Sequence, residues 1–345
     1  MSDLVICIVN YRTPELTLRC LAAVAEERAL LPGIKAVVAD AYSGDDSAKI
    51  LAAALAHPDY LGWAEFLPLP LNGGFGWANN QIMLRLLQSE SPPAFFHLLN
   101  PDATIRPGAV KALYDRMLSD AGCGAAGSQL IEPDGTPQAS AFREFRIRNE
   151  LARGAHTHAL LRLLGGQSIV MPPSEQAHPA DWVTGASVIL RSAALREAGL
   201  FDDSFFLYFE ETELMSRLRK AGWSVWHEPA SKVEHEGGAS TQLARDESEL
   251  ARRGRPLYWY ESQKRLMFRT MAPLRAWAAL GAWLIGRGIF ILRLLTGAKR
   301  GRAGVRNETR DMLKVWFRGS EIDRRRHFVR WDSPFGLPPA WKGLE

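Results

Sequence analysis

The chain has 345 residues, 47% hydrophobic and 23% charged, with a net charge of +4. That is enough apolar material for a full core, which excludes a disordered chain, and the length suits one large domain with an appendage or two domains. Three cysteines, Cys7, Cys20 and Cys123, sit in apolar stretches, too few for a disulfide framework and without metal-ligand spacing; they point to a reducing, cytoplasmic compartment.

The opening MSDLVICIVNYRTPE lacks the positive first region and cleavage site of a signal peptide, so residues 4–9 read as a buried strand. Pro14 after Thr13 opens a helix over 14–28. Strands at 34–40, 64–69 and 95–99 then alternate with helices at 47–56, 77–88 and 107–118. This alternation predicts an α/β fold with a mostly parallel sheet covered on both faces. After Gly122 the pattern changes. EPDGTP at 132–137 is a hairpin-type turn, so antiparallel strands enter, and 142–180 is an irregular Arg-, His- and Pro-rich stretch with some helix. A strand at 182–190, a helix at 209–221 and a short strand at 222–226, closed by Glu228–Pro229, complete a first region over 1–245. The second, 246–345, shows only helical patterns and basic residues.

Charge divides along the same line. Residues 1–249 carry −10 and residues 250–345 carry +14. A basic tail behind an acidic body seeks an anionic partner, either nucleic acid or the anionic inner leaflet. The tail's aromatics sit in an apolar stretch, 277–295, rather than interleaved with basic residues, so no nucleic-acid partner is expected. Arg275, Arg287 and Arg293 in and beside that stretch argue against a spanning helix. Trp277 and Trp283 suit a headgroup interface. The segment reads as an interfacial or re-entrant helix, or alternatively as a packed helix of a C-terminal subdomain.

Dehydrogenase and P-loop chemistries are excluded. The turn after the first strand, Asn10-Tyr11-Arg12-Thr13-Pro14, has no glycine fingerprint, and Gly74-Phe75-Gly76 follows the third strand without a third glycine. Other residues gather at strand ends. Asp40 closes the second strand at the edge where α/β sheets bind ligands, together with Asn10 and Tyr11, although an Asp there also caps turns. Asn100 and Asp102, two apart on extended backbone, can address one cation, and such donors suit Mg²⁺ or Mn²⁺ on a diphosphate. Glu210, Glu211 and Glu213 open a helix, where acids complement the dipole. The preceding FDDSFFLYF also surrounds them with aromatic wall, which can raise a carboxylate toward the range of a general base. His235 is either a core histidine or the completion of the cation site.

In this order and spacing, IVNYRTPE (8–15), DAYSGDDS (40–47), NGGFGWANN (72–80), LLNPDATI (98–105), WVTGASVILRSAALREAGLFDDSFFLYFEETEL (182–214) and HEGGAS (235–240) resemble the family 2 glycosyltransferases of the GT-A fold, the nucleotide-diphospho-sugar transferase fold. The likeness covers about residues 3–242, some 70% of the chain, and is nearest to the bacterial rhamnosyltransferase-like branch. The resemblance implies an inverting, metal-dependent enzyme using Mg²⁺ or Mn²⁺. Asp40 falls on the nucleobase-binding acid, and Asn100-Pro101-Asp102 stands where the family has Asp-x-Asp. Asn10, Tyr11, Gly74 and Asn80 belong with them on the nucleotide sugar. Glu211 falls on the catalytic base, with Glu210 beside it, and His235 on the metal-binding His beside Asp102. Trp182, Gly185 and Glu213 are expected at the acceptor. Three positions depart from the family pattern: Ala41 for the usual Asn, Asn100 for the first Asp, and Glu211 for an Asp. The implied donor is dTDP-L-rhamnose, or a UDP-linked hexose. The implied acceptor is a polyprenyl-diphosphate-linked saccharide of surface polysaccharide synthesis, reached from the inner face of the membrane. A non-catalytic sugar-nucleotide or glycan-binding module is the rival class.

Overall fold

The computed structural model describes residues 3–235, 253–296, 305–318 and 328–338. The HEGGAS residues beyond His235 and the expected 245/246 boundary lie outside them.

Strands β1 (Leu4–Asn10), β2 (Lys35–Asp40), β3 (Ala64–Pro68) and β4 (Phe95–Leu99) run parallel in the order β3-β2-β1-β4. Helices α1 (Pro14–Glu27), α2 (Ser47–Leu55) and α3 (Phe75–Leu87) return the chain between them. Successive side chains of a strand face opposite ways. Leu4, Ile6 and Ile8 therefore pack with Leu21 and Val24 of α1, while Val5 and Cys7 join the core that holds Trp77 and Ile82 of α3. Both faces of the sheet are covered, which is why these strands read as unbroken apolar runs. β1 lies between β2 and β4, so the connections leave it in opposite directions. That reversal opens a crevice at the strands' carboxyl ends.

The sheet continues through β5 (Ala103–Ile105), β6 (Cys123–Ile131), β10 (Ser187–Arg191) and β11 (Ser224–His235), in the order β4-β10-β6-β11-β5. β10 is antiparallel to both neighbours, and β8 (His178–Pro179) pairs with β11 off this path. β7 (Ala141–Phe142) and β9 (Trp182–Val183) form a separate ribbon. Helices α4 (Ala109–Ser119), α5 (Ile147–Gly154), α6 (His158–Leu163), α7 (Ser192–Ala198) and α8 (Glu210–Lys220) fill the connections.

Two expectations are corrected here, and one strand was not anticipated. The strand expected over 182–190 is two, β9 and β10, broken around Gly185 because its halves pair with different sheets. The strand expected to close at Glu228–Pro229 runs on to His235. Pro229 has no N–H for the ladder, and a register shift between Glu228 and Lys232 absorbs it as a bulge. β6, CGAAGSQLI, carries too little β-propensity to announce itself. It is a strand because its glycines admit neighbours: a Cβ on Gly127 would lie 2.6 Å from the Cβ of Val183.

The C-terminal region packs onto this body. Helices α9 (Leu257–Thr270), α10 (Pro273–Leu295) and α11 (Glu308–Phe317) share a third core around Tyr260, Leu280, Trp283, Met312 and Trp316. Val329 enters the core beside α3, and the Trp77 indole donates to the Leu337 carbonyl at 3.0 Å. α10 also corrects a sequence expectation. Trp283 is only 1% exposed and anchors nothing at a headgroup. Arg287 faces inward to His156 (2.8 Å), Thr309 and Glu308, and Arg293 donates to the Ala155 carbonyl. With both arginines turned inward, the exposed stripe is apolar: Leu274, Trp277, Ile285, Ile291, Leu292 and Leu295. By length and composition α10 could cross a membrane. It is nevertheless seated on α5 through backbone contact. A Cβ on Gly286 would lie 2.2 Å from the Leu151 carbonyl oxygen, and one on Gly154 would lie 2.2 Å from that of Trp283.

Gly286→Val is therefore expected to lower stability by about 1–3 kcal/mol or more, since the obstructing atoms are backbone and cannot rotate away. Chemical denaturation measures it, and an unchanged midpoint would refute the α5–α10 crossing.

Candidate active site

Asn10 and Asp40 are register partners at the ends of β1 and β2. The Asn10 amide donates to Asp40 Oδ1 at 2.7 Å, and Ser43 adds its hydroxyl at 2.6 Å to the same oxygen and its backbone N–H to Oδ2 at 3.1 Å. Above this buried layer lies a cavity of about 360 Å³, lined by Tyr11, Gly74, Phe75, Asn100, Asp102 and Tyr258 among others. Gly74 has φ 87°, and a Cβ there would lie 1.8 Å from the Phe206 carbonyl oxygen. Only glycine lets the two loops approach so closely.

The long β11 brings His235 opposite Ala103 of β5. Its Nε2 lies 3.3 Å from Asp102 Oδ1 and 3.3 Å from the Asn100 amide nitrogen. Among the described residues no three His, Cys, Asp or Glu side chains are placed to hold a metal ion together. The Asp102 carboxylate and the His235 imidazole thus meet beside the cavity, with the Asn100 amide nitrogen against the ring. This set fits a hard divalent ion that keeps positions open for diphosphate and water, and not an all-protein cage.

The acid pair opens α8 after Tyr208 and Phe209, whose φ angles of 72° and 69° are both left-handed. Such residues cost roughly 1–3 kcal/mol each and gather at functional sites. Glu210 is 3% exposed, and its Oε2 has no partner. Glu211 is half-buried: a Cβ on Gly185 would lie 3.6 Å from the Glu211 Cβ and 3.5 Å from Phe75 Cε1. Since Phe75 also lines the cavity, Glu211 stands just beyond its wall. Burial pushes the Glu211 carboxyl up to about 7. Burial and the neighbouring Glu211 charge raise Glu210 well above the carboxylate range. Near neutral pH the pair therefore carries at most one charge, with Glu211 the more acidic of the two.

No family model matches the chain. Residues spanning 77% of it are 28% identical to an N-acetylglucosaminyl-diphospho-decaprenol L-rhamnosyltransferase of Mycobacterium tuberculosis, covering 86% of that protein. Among solved structures, it is similar to a mannosyltransferase of Pyrobaculum calidifontis in complex with GDP-Man and Mn²⁺, with TM-score 0.50, 13% identity, and 93% and 82% of the two chains covered. It also resembles GalNAc-T7 with UDP, GalNAc and Mn²⁺, with TM-score 0.52 and 12% identity; 77% of the chain is covered but only 50% of that structure. The chain is a glycosyltransferase of the GT-A fold. The sequence relative agrees with the rhamnosyltransferase-like branch that the motifs resemble.

In this glycosyltransferase several expected contacts turn out to be internal. Asn10 is fully buried: its amide oxygen accepts from Thr13 and Thr17 while its nitrogen holds Asp40, so it positions the crevice floor and does not face a ligand. Asn80 is likewise buried, its side chain exchanging two hydrogen bonds with the Phe201 backbone. Its amide matches a peptide's donor and acceptor, and the exchange ties α3 to the aromatic loop. Glu213 is held by the Arg217 guanidinium at 2.8 and 2.9 Å, and Arg217 in turn donates to the carbonyls of Ala198, Gly199 and Leu200. It fastens α8 and is not free for an acceptor. Trp182, by contrast, is only partly buried: its ring stacks on Phe142 at 3.9 Å, its Nε1 donates to the Arg143 carbonyl, and it lines a narrow crevice along α8. Tyr258 of α9 was not visible as a site residue. Its place in the cavity wall, edge-on to Phe206 at 5.7 Å, depends on α9 docking, which no local pattern announces.

Proposed function

We propose that this glycosyltransferase moves L-rhamnose from dTDP-L-rhamnose onto a polyprenyl-diphosphate-linked saccharide, in one inverting displacement at the cytoplasmic face of the membrane. The observation that carries the reading is Glu211, a half-buried carboxylate raised to about 7, set just beyond the wall of a crevice at the strands' carboxyl ends. The name of the mycobacterial relative supplies the sugar and the acceptor class.

The nucleotide lies across the ends of β1 to β4, along Tyr11, Gly74, Asn100 and Asp102. Asp40, buried under the cavity floor, has a lone pair of Oδ2 left after the Ser43 N–H for an N–H of the base. Asp102, His235 and Asn100 would hold Mg²⁺ or Mn²⁺, which when bound offsets charge on the departing diphosphate. Glu211 takes the proton from the acceptor hydroxyl as that oxygen attacks the anomeric carbon from the side opposite the diphosphate. The C1–diphosphate bond breaks as the new glycosidic bond forms, and the configuration inverts to an α-linked product. Glu210 stays protonated and keeps a second negative charge away from the base. The apolar stripe of α10 and the basic charge of residues 250–345 hold the enzyme on an anionic bilayer.

The test incubates the protein with dTDP-L-rhamnose or UDP-hexoses, a short polyprenyl-diphosphate N-acetylglucosamine and Mn²⁺, with mass analysis of the lipid product. Deoxyhexose addition from the dTDP donor, abolished by chelator, is expected. Transfer only from a UDP-hexose would overturn the donor, and binding without transfer or hydrolysis would favour a glycan-binding module. Sedimentation with anionic vesicles, partly reversed by salt, is expected in parallel.

A further inference from the structure

A second cavity, of about 470 Å³, opens where the start of α5 meets the connection from α9 to α10. Three arginines line it: Arg146 just before α5, Arg148 in its first turn, and Arg275 in the first turn of α10. Among the described residues none of the three has an ion-pair or side-chain hydrogen-bond partner, and Arg148 Nε is buried without one. The wall also carries one carboxylate, Glu144, whose charge is met by Arg219 at 3.5 Å. Three unmatched guanidinium groups around one space repel each other and favour a multiply charged anion. Their planar forks suit phosphate oxygens.

The neighbourhood narrows the anion's identity. Phe145 borders both this cavity and a narrow crevice along α8 lined by Trp182, Thr212 and Ser216. Phe145 stacks on Trp182 and meets Phe209 edge-on at 6.0 Å, one residue before the acid pair. The hydroxyls of Thr212 and Ser216, each 5% exposed, have no partner. Thr212 and Ser216 thus place unpartnered polar atoms between the start of α8 and the arginines. On the other side, Leu274 next to Arg275 is 82% exposed and begins the apolar stripe of α10. A cationic cavity beside an apolar stripe matches the diphosphate and hydrocarbon of an isoprenoid diphosphate.

We propose that Arg146, Arg148 and Arg275 form the diphosphate site for an isoprenoid-linked acceptor. The inference rests on the transferase reading for the sugar portion, but its core can be measured without turnover. Arg146 and Arg275 are exposed, so Arg146→Gln/Arg275→Gln leaves the core intact. Farnesyl diphosphate is the probe, followed by calorimetry, with farnesol, inorganic diphosphate and anionic vesicles as comparison arms. The double variant is expected to bind farnesyl diphosphate about tenfold more weakly or worse, with farnesol unaffected. In turnover, KM for the diphosphate-bearing acceptor should rise by a similar factor, while KM for the same saccharide on a plain alkyl chain stays put. Equal farnesyl diphosphate binding by both proteins would overturn the site. Inorganic diphosphate bound as tightly as the farnesyl compound would overturn the lipid assignment in favour of a soluble anion. Loss of vesicle sedimentation alone would assign the arginines to the bilayer surface and likewise overturn it. Arginine-dependent farnesyl diphosphate binding by a protein that transfers no sugar would sustain the site and defeat the transferase reading instead.

Discussion

Glu211→Gln is expected to lower kcat by about 10²–10⁴ while donor binding persists. The amide keeps the size of the side chain and its place beside Gly185, but cannot accept the acceptor's proton. The carboxyl, raised by burial from 4.5 to about 7, must be ionised to act, so wild-type kcat should climb with pH through about 7 and level off above it. At pH 5.5 it should stand about thirtyfold below the plateau, the ionised fraction of a group with that pKa. The same shift has a consequence for stability with the opposite trend. Between 4.5 and about 7 the folded chain keeps a proton that the unfolded chain has released, so this group makes folding less favourable as pH rises through that window. Above it, Glu211→Gln should melt no lower than wild type. Lost activity with undiminished stability separates a chemical role from a structural one. If kcat stays within a few-fold of wild type, the base lies elsewhere, and Glu210 is next in line.

Asp102→Ala is expected to remove most of the metal-dependent part of nucleotide binding, and Asn100→Ala much less. Both side chains approach the His235 ring nitrogen at 3.3 Å, but only the carboxylate neutralises part of a cation's charge. Loss of an outer-shell partner already weakens metal sites by about 10–100-fold, and loss of a charged ligand should reach at least the upper end. Calorimetry of a nucleoside diphosphate with and without Mn²⁺ measures the difference. A mutant that binds equally well with metal present would sink the assignment of Asp102 as ligand.

The sequence by itself determined the front half of the fold and the neighbourhood of the site. β1 to β4 and their helices were legible because each is complete within a short window: an apolar run, a capping or breaking residue, a helical period. Asp40 closes β2 and Asn100 and Asp102 follow β4, and strand ends in a sheet of this kind face the ligand, so that edge of the sheet was legible as well. Only the tertiary structure decided what depends on distant partners. β6 is a strand of small residues because Val183 and Trp223 need the room that its glycines leave. β11 passes Pro229 because the bulge against β6 absorbs the missing donor, and that continuation is what places His235 beside Asp102. Asn10, Asn80 and Glu213 have the chemistry of ligand-binding residues, but their hydrogen bonds are spent on Asp40, the Phe201 backbone and Arg217, which no spacing rule reveals. The arginines of α10 make the same point: a sequence counts charges, but only packing against α5 and α11 turns Arg287 and Arg293 inward and leaves an apolar face outside.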